Sequence, residues 1–356
     1  MAKPRPAPPS PHARELMAQV ESALEAGRSK VARALAVELV KVAPEQAGAW
    51  TLKAAAHAQC DEPELAEEAF DEALERDPDD LEILLAWTDF LVCRPGGDLE
   101  TLETGLEAAA RGRKLARKAN EPQLEAEFAT LQGIGLGQLG EPAEALTALD
   151  AALKLVPSSL EVKLERACAL YELCRFDEAE TAFRDVVKQG PEEPWAHQHL
   201  GLIAERRGRT AEAARHFAEA RSLSPEEFPE PVSVTEAEFE AMVEAALREI
   251  PGDFRAKLPN LRFTVEPLPA TDDLLAESPP LSPSLLGLFQ GTPLGERSVG
   301  SAADHATARV VLFQRNLERA ARTRDELAEQ VRVTVLHELG HLVGLDEDDL
   351  EERGLD

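Results

Sequence analysis

The residues of this chain best suited to chemistry are His337-Glu338-Leu339-Gly340-His341. Residues four apart on a helix stand one turn apart on the same face. His337 and His341 therefore aim both imidazoles the same way, the geometry a tetrahedral Zn2+ requires of two ligands. Glu338 lies ~100° round the helix from His337 and ~60° from His341, so its carboxylate flanks the metal without binding it. From there it can take a proton from a water beside the ion, the work of a general base. The competing interpretation is two ordinary histidines on a buried helix. Burying two imidazoles and a carboxylate together among apolar side chains is costly without a metal, which favours the site.

A tetrahedral zinc site that keeps one position open for chemistry needs a third protein ligand. Gly344 follows His341 by three residues, where a helix can end in a left-handed turn and bring the chain back towards the ion. Three residues further on stands Glu347, the third ligand that the spacing favours. Its neighbours Asp346 and Asp348 are also carboxylates and remain alternatives, as does His305 outside the motif. Some of the acidic run 346–349 must simply solvate the chain.

The element that positions these groups is a long helix. Thr323 and Glu326 have capping-box spacing, and Leu327, Val331, Val335, Leu339 and Leu342 recur about once per turn. Val333, Leu336 and Val343 make the other side apolar too, so the helix belongs at the centre of its domain. Val331 to Val335 alternates like a strand, against the helix, and the histidine spacing decides for helix. Upstream, Thr235 to Ile250 reads as an amphipathic helix with a second capping box at Thr235 and Glu238. Leu261 to Glu266 reads as a short strand, 267–283 as a proline-rich stretch, and Arg309 to Gln314 as a second strand.

The N-terminal two thirds follow a different rule. Prolines at 44 and 78, and at 157, 191 and 225, are spaced by 34 residues. Alignment on them stacks Trp50, Ala54, Ala66, Phe70 and Ala73 before Pro78. The same columns hold Gly133, Gly140, Ala145, Leu149 and Ala152 before Pro157, and Gly201, Gly208, Ala213, Phe217 and Ala220 before Pro225. Small residues let paired helices approach, a Phe or Leu fills the gap, and the proline ends the second helix. This pattern resembles the tetratricopeptide repeat. It implies about six units over 13–225, the third irregular around Arg94-Pro95-Gly96-Gly97-Asp98, and a groove that holds a peptide or partner protein. The basic run Arg111, Arg113, Lys114, Arg117 and Lys118 reads as a solvated face rather than a clamp. Residues 1–12 are expected to be a disordered proline-rich leader and 226–233 a linker, with a second domain over 234–356.

Composition narrows the function classes. The 356 residues carry 67 acids against 38 bases, a formal net charge of -29. The excess is shared, with 43 acids and 26 bases in residues 1–230 and 24 and 12 in 231–356. No basic face exists to read a phosphate backbone, so nucleic acid is excluded as a partner. No run of ~18 apolar residues occurs, so no membrane span is expected. Four cysteines without a C-x-x-C pair fit a reducing compartment, and the expectation is a soluble cytoplasmic protein.

From about Val234 to Asp356 the chain resembles a family of small bacterial zincin-like metallopeptidases. Two stretches carry the resemblance. One is 286–298, Leu-Gly-Leu-Phe-Gln-Gly-Thr-Pro-Leu-Gly-Glu-Arg-Ser, and the other runs from Val331 to Leu355 through Leu336-His337-Glu338-Leu339-Gly340-His341 and Gly344-Leu345. The resemblance implies a compact α+β zincin fold, one catalytic zinc and hydrolysis of peptide bonds. It departs in two places: the third-ligand position, usually Asp in the family, is Glu347, and Phe289 replaces a common Tyr. Arg297, in the first stretch, is a candidate to steady an oxyanion or else a structural ion-pair partner.

The expected whole is an all-α solenoid of helix pairs followed by a compact α+β domain. Zinc held by His337, His341 and Glu347 would act with Glu338 as base on a peptide or protein substrate, while the repeats bind a protein partner. The rival is a non-catalytic adaptor whose second domain binds metal or a partner without turnover.

Overall fold

A computed structural model describes residues 8–94, 96–249, 262–291 and 309–343. The first twelve helices follow one another in pairs along the sequence. They are α1 (Pro11–Glu25) and α2 (Ser29–Val42), α3 (Ala47–Ala58) and α4 (Pro63–Arg76), α5 (Leu81–Cys93) and α6 (Leu99–Ala119), α7 (Pro122–Gln138) and α8 (Pro142–Leu155), α9 (Leu160–Glu172) and α10 (Phe176–Gln189), and α11 (Pro194–Arg206) and α12 (Thr210–Leu223). The first helix takes in Pro11 and His12, the last two residues of the stretch expected to be an unstructured leader. The Ser10 hydroxyl accepts the Ala13 N–H at 3.1 Å, and Pro11 occupies the first helical position, where its missing N–H costs nothing.

Each of the five prolines that set the period falls two residues beyond the end of a helix, as a residue that cannot continue one should. The small-residue columns work through space. A Cβ on Gly201 of α11 would lie 2.5 Å from the Phe217 ring of α12, and one on Gly133 of α7 would lie 2.5 Å from Leu149 of α8. The large side chain of the second helix thus occupies the volume that the glycine of the first leaves open. The irregular third pair owes its length to α6, which has 21 residues where α2, α4, α8, α10 and α12 have 14. The basic run of that helix does more than face solvent. Arg111 donates to the Pro78 carbonyl at 2.6 Å, Arg113 to Gln132 at 3.1 Å, and Arg117 pairs with Glu125 of α7.

Past the repeats come α13 (Glu236–Glu249), β1 (Arg262–Glu266), α14 (Thr271–Leu274), β2 (Gly287–Gln290), β3 (Arg309–Phe313), α15 (Gln314–Ala320) and α16 (Arg324–Val343). The three strands form one sheet in the order β1-β3-β2, with β1 parallel and β2 antiparallel to β3. Val310, Val311, Leu312 and Phe313 of the central strand are all buried, the continuous apolar run of a strand covered on both faces. Val310 and Leu312 join one core with Phe239, Val243 and Ala246 of α13, Leu317 of α15, and Leu327, Val331, Val335 and Leu339 of α16. The strand-like alternation of Val331 to Val335 is overridden because a helix places Val331 and Val335 one turn apart on this core. Three elements, α14, β2 and α15, have no counterpart in the sequence reading.

Packing and sequence pattern divide the chain at different places. The repeat pattern ends near residue 230, whereas the chain forms two compact units, Met1–Ala169 and Leu170–Asp356. Within the second unit, α11 is bound to the segments that follow the repeats. Arg206 donates to the Pro269 carbonyl at 2.8 Å, Glu205 pairs with Arg319 of α15, and Trp195 meets Phe228 edge-on at 4.9 Å. No helix among the described residues is long and apolar enough to cross a membrane.

Filling the Gly201 space tests the helix-pair packing. Gly201→Ala is expected to lower stability by about 1–3 kcal/mol, the usual cost of overpacking a tight contact, measured as a shift in urea-unfolding midpoint at unchanged helicity.

Candidate metal centre and its positioning elements

Helix α16 begins at a side-chain cap. The Glu326 N–H donates to the Thr323 hydroxyl at 3.2 Å, while the Glu326 carboxylate accepts the Arg322 N–H at 2.8 Å, one residue before the position a regular capping box would use. The capping box of α13 is regular. The Thr235 N–H donates to Glu238 at 2.9 Å and the Glu238 N–H returns to the Thr235 hydroxyl at 3.3 Å. Arg324 then donates to Glu238 at 2.8 Å, tying the starts of the two helices together.

Near the other end of α16, His337 and His341 project together from one face. Their Nε2 atoms are 3.0 Å apart and their rings stand at 84° with centroids at 4.7 Å. Two imidazoles bound to one tetrahedral zinc at ~2.0–2.1 Å place their nitrogens ~3.3 Å apart, so this donor pair already converges to nearly the required separation. Both rings are half-buried, while Glu338, next along the helix from His337, is only 5% exposed. The two histidines of the motif are thus brought together, with Glu338 buried on the flank of the same helix.

Glu347, Asp346, Asp348, His305 and Arg297 all lie outside the described residues. Among the described residues no group of three His, Cys, Asp or Glu side chains converges as a metal site would require. The pair His337 and His341 fits zinc as two of its ligands.

The sheet holds the helix from the side of Glu338. Strand β2 passes so close to α16 that a Cβ on Gly287 would lie 2.8 Å from Glu338 Oε1 and 2.7 Å from the Thr334 methyl. The run into β2 is held by Asn316 of α15, a buried side chain whose amide donates to the Pro283 and Leu285 carbonyls at 3.0 and 2.8 Å. The Phe313 N–H donates to the Leu286 carbonyl at 2.9 Å and starts the β2–β3 pairing. Asn316 escaped the sequence reading, because nothing in the polar run Gln314-Arg315-Asn316 after β3 sets it apart from its neighbours. Phe289 packs its ring against the core of the module, a role that needs no hydroxyl.

Comparison with known proteins places both regions. The zincin-like metallopeptidase family matches residues 258–355, and a tetratricopeptide repeat family matches 17–80, 130–194 and 164–228. Among solved structures, the chain is similar to Pseudomonas aeruginosa PilF, with 19% identity and a TM-score of 0.51 over 64% of this chain and 96% of that one. It is similar also to PilW, described as a type IV pilus biogenesis factor, with 17% identity and a TM-score of 0.53 over 61% of this chain and 96% of that one. At these identities the likeness is one of fold. No curated protein matches the chain.

The two caps give a pH signature. The Thr235 backbone N–H, then Arg324, hold the Glu238 carboxyl far below its ordinary 4.5, at about 2. A depressed carboxylate contributes stability that is present above the unfolded value and lost as pH falls through the folded one. Stability should therefore decline as pH drops from about 4.5 towards about 2, and Glu238→Gln should flatten that part of the profile in acid-unfolding experiments followed by circular dichroism.

Proposed function

In a chain that joins tetratricopeptide repeats to a zincin-like metallopeptidase domain, we propose that the C-terminal module hydrolyses peptide bonds with the help of one zinc ion while the repeats bind a protein partner or the substrate. The observation that carries this reading is the convergence of the His337 and His341 Nε2 atoms to 3.0 Å with the buried Glu338 flanking them on the same helix. A site that served structure alone would have no use for a carboxylate held there.

His337 and His341, with Glu347 as the expected third donor, would hold the ion, whose chemistry when bound is to acidify a water and polarise a carbonyl. Glu338 takes the proton of the attacking water on a carboxylate oxygen and hands it to the leaving amine. Burial keeps that carboxylate from exchanging its proton with bulk solvent. Strand β2 ends the sheet and pairs only with β3 among the described residues. Its other edge offers backbone N–H and C=O groups to which an extended peptide can add as a further strand, beside Glu338.

The test uses the full-length protein. Zinc content and cleavage of a peptide library are measured for the parent, Glu338→Gln and the His337→Ala, His341→Ala double variant. The expected result is about one zinc in the first two, none in the third, and cleavage by the parent alone, with Glu338→Gln reduced on the order of 10²–10⁴-fold. Zinc in folded parent protein without cleavage would favour the adaptor alternative, and folded protein that takes up no zinc would remove both.

A further inference from the structure

The geometry points to Gly287 as the residue that positions Glu338, by leaving empty the space into which the carboxylate fits. This inference rests on the reading of Glu338 as the proton-carrying group, and on three observations about the strand–helix contact.

The first concerns backbone conformation. Glycine is needed where φ is positive, and the described glycines with positive φ are Gly27, Gly96, Gly140, Gly208 and Gly291. Gly287 is absent from that set. It sits in regular antiparallel pairing, opposite Leu312 of β3, where any residue could be accommodated by the backbone. Conformation therefore does not explain a glycine at this point of the strand.

The second is space. A Cβ at position 287 would meet Thr334 Cγ2 at 2.7 Å, Glu338 Oε1 at 2.8 Å and Glu338 Cγ at 3.0 Å. Real Cβ atoms do not approach other heavy atoms so closely, so even alanine must displace the strand, the threonine or the glutamate. Two of the three atoms belong to Glu338, and the carboxylate end is the movable one.

The third is that the strand itself cannot easily retreat. Phe313 and Asn316 fasten the residues just before Gly287, through the Leu286, Pro283 and Leu285 carbonyls. On the helix side, Val331, Val335 and Leu339 are locked into the core. With both backbones held, an added methyl group is relieved by turning the Glu338 side chain away from its place beside the histidine pair. Gly287 thus acts on catalysis without touching substrate or ion, and the histidines, which are not among the three atoms nearest the added one, keep their arrangement.

The experiment compares full-length parent, Gly287→Ala, Thr334→Ser, Glu338→Asp, and the double variants Gly287→Ala with Thr334→Ser and Gly287→Ala with Glu338→Asp. Zinc content, thermal midpoint, kcat and KM are measured on each, together with crystal structures of metal-free parent and Gly287→Ala. Positioning predicts a kcat for Gly287→Ala that is lower by about 10–100-fold, the scale of a ~1 Å misplacement, with KM and zinc content at parental values. It also predicts a Glu338 carboxylate displaced by about 1 Å or more in the metal-free crystal structure. The shorter Glu338→Asp side chain should cost less in the Gly287→Ala background than alone, because it needs less of the filled space.

Thr334→Ser removes the nearest clash that does not involve Glu338. Should Gly287→Ala fold poorly, this double variant carries the same measurements. A role confined to packing would instead be met by full recovery of kcat once Thr334→Ser restores the thermal midpoint, and that result would overturn the inference. So would a Glu338 carboxylate unmoved in the Gly287→Ala crystal structure. The crystal structures decide the positioning even if the parent proves inactive, which separates failure here from failure of the peptidase reading.

Discussion

The chemistry proposed for the C-terminal module depends on one constraint: a helix that packs one face into the core must still present three polar groups at defined angles. Apolar contacts from α13, β3 and α15 hold α16 through Leu327, Val331, Val335 and Leu339. Those contacts fix the rotation of the helix about its own axis, and the 3.6-residue period then fixes where His337, Glu338 and His341 point. The caps at Thr323 and Thr235 and the Arg324–Glu238 bond set where the two helices start relative to each other. Rotation and start together leave the motif little freedom, which is what the proposed single-ion site would require.

The same device of an omitted side chain appears in both halves. In the repeats, Gly133 and Gly201 leave room for Leu149 and Phe217, so that paired helices lie close enough to bury a continuous core. In the C-terminal module, Gly287 leaves room for a carboxylate instead of a hydrocarbon. The difference matters because the repeat contacts only have to exclude water, whereas a carboxylate in a tight, mostly dry space must also be held at one angle to its neighbours.

Much of this was legible along the chain. The proline period located the repeats, because a proline two residues past the second helix of five of the six pairs stops that helix by local chemistry. The capping boxes at Thr235 and Thr323 marked two helix starts, because cap chemistry is also local. Other parts were not legible. Strand β2 has four residues, begins with glycine and lacks alternation, and it exists because Phe313 and Asn316 capture the carbonyls just before it. Helix α15 has seven residues, too few for a period to show. Val331 to Val335 carried a strand pattern that lost to the core contacts of a helix.

By itself the sequence determined the helix-pair repeat, the acidic excess, and the helical spacing that aligns His337 with His341. These follow from periodicity and charge, which short-range chemistry imposes on any fold the chain adopts. Only the tertiary structure decided that α11 is bound to the segments after the repeats, that β2 is the strand beside the site, and that Glu338 is buried against Gly287. The reason is physical. Each of these depends on two surfaces distant in sequence meeting at a few ångströms, and no local pattern encodes which empty volume a side chain from another element will fill.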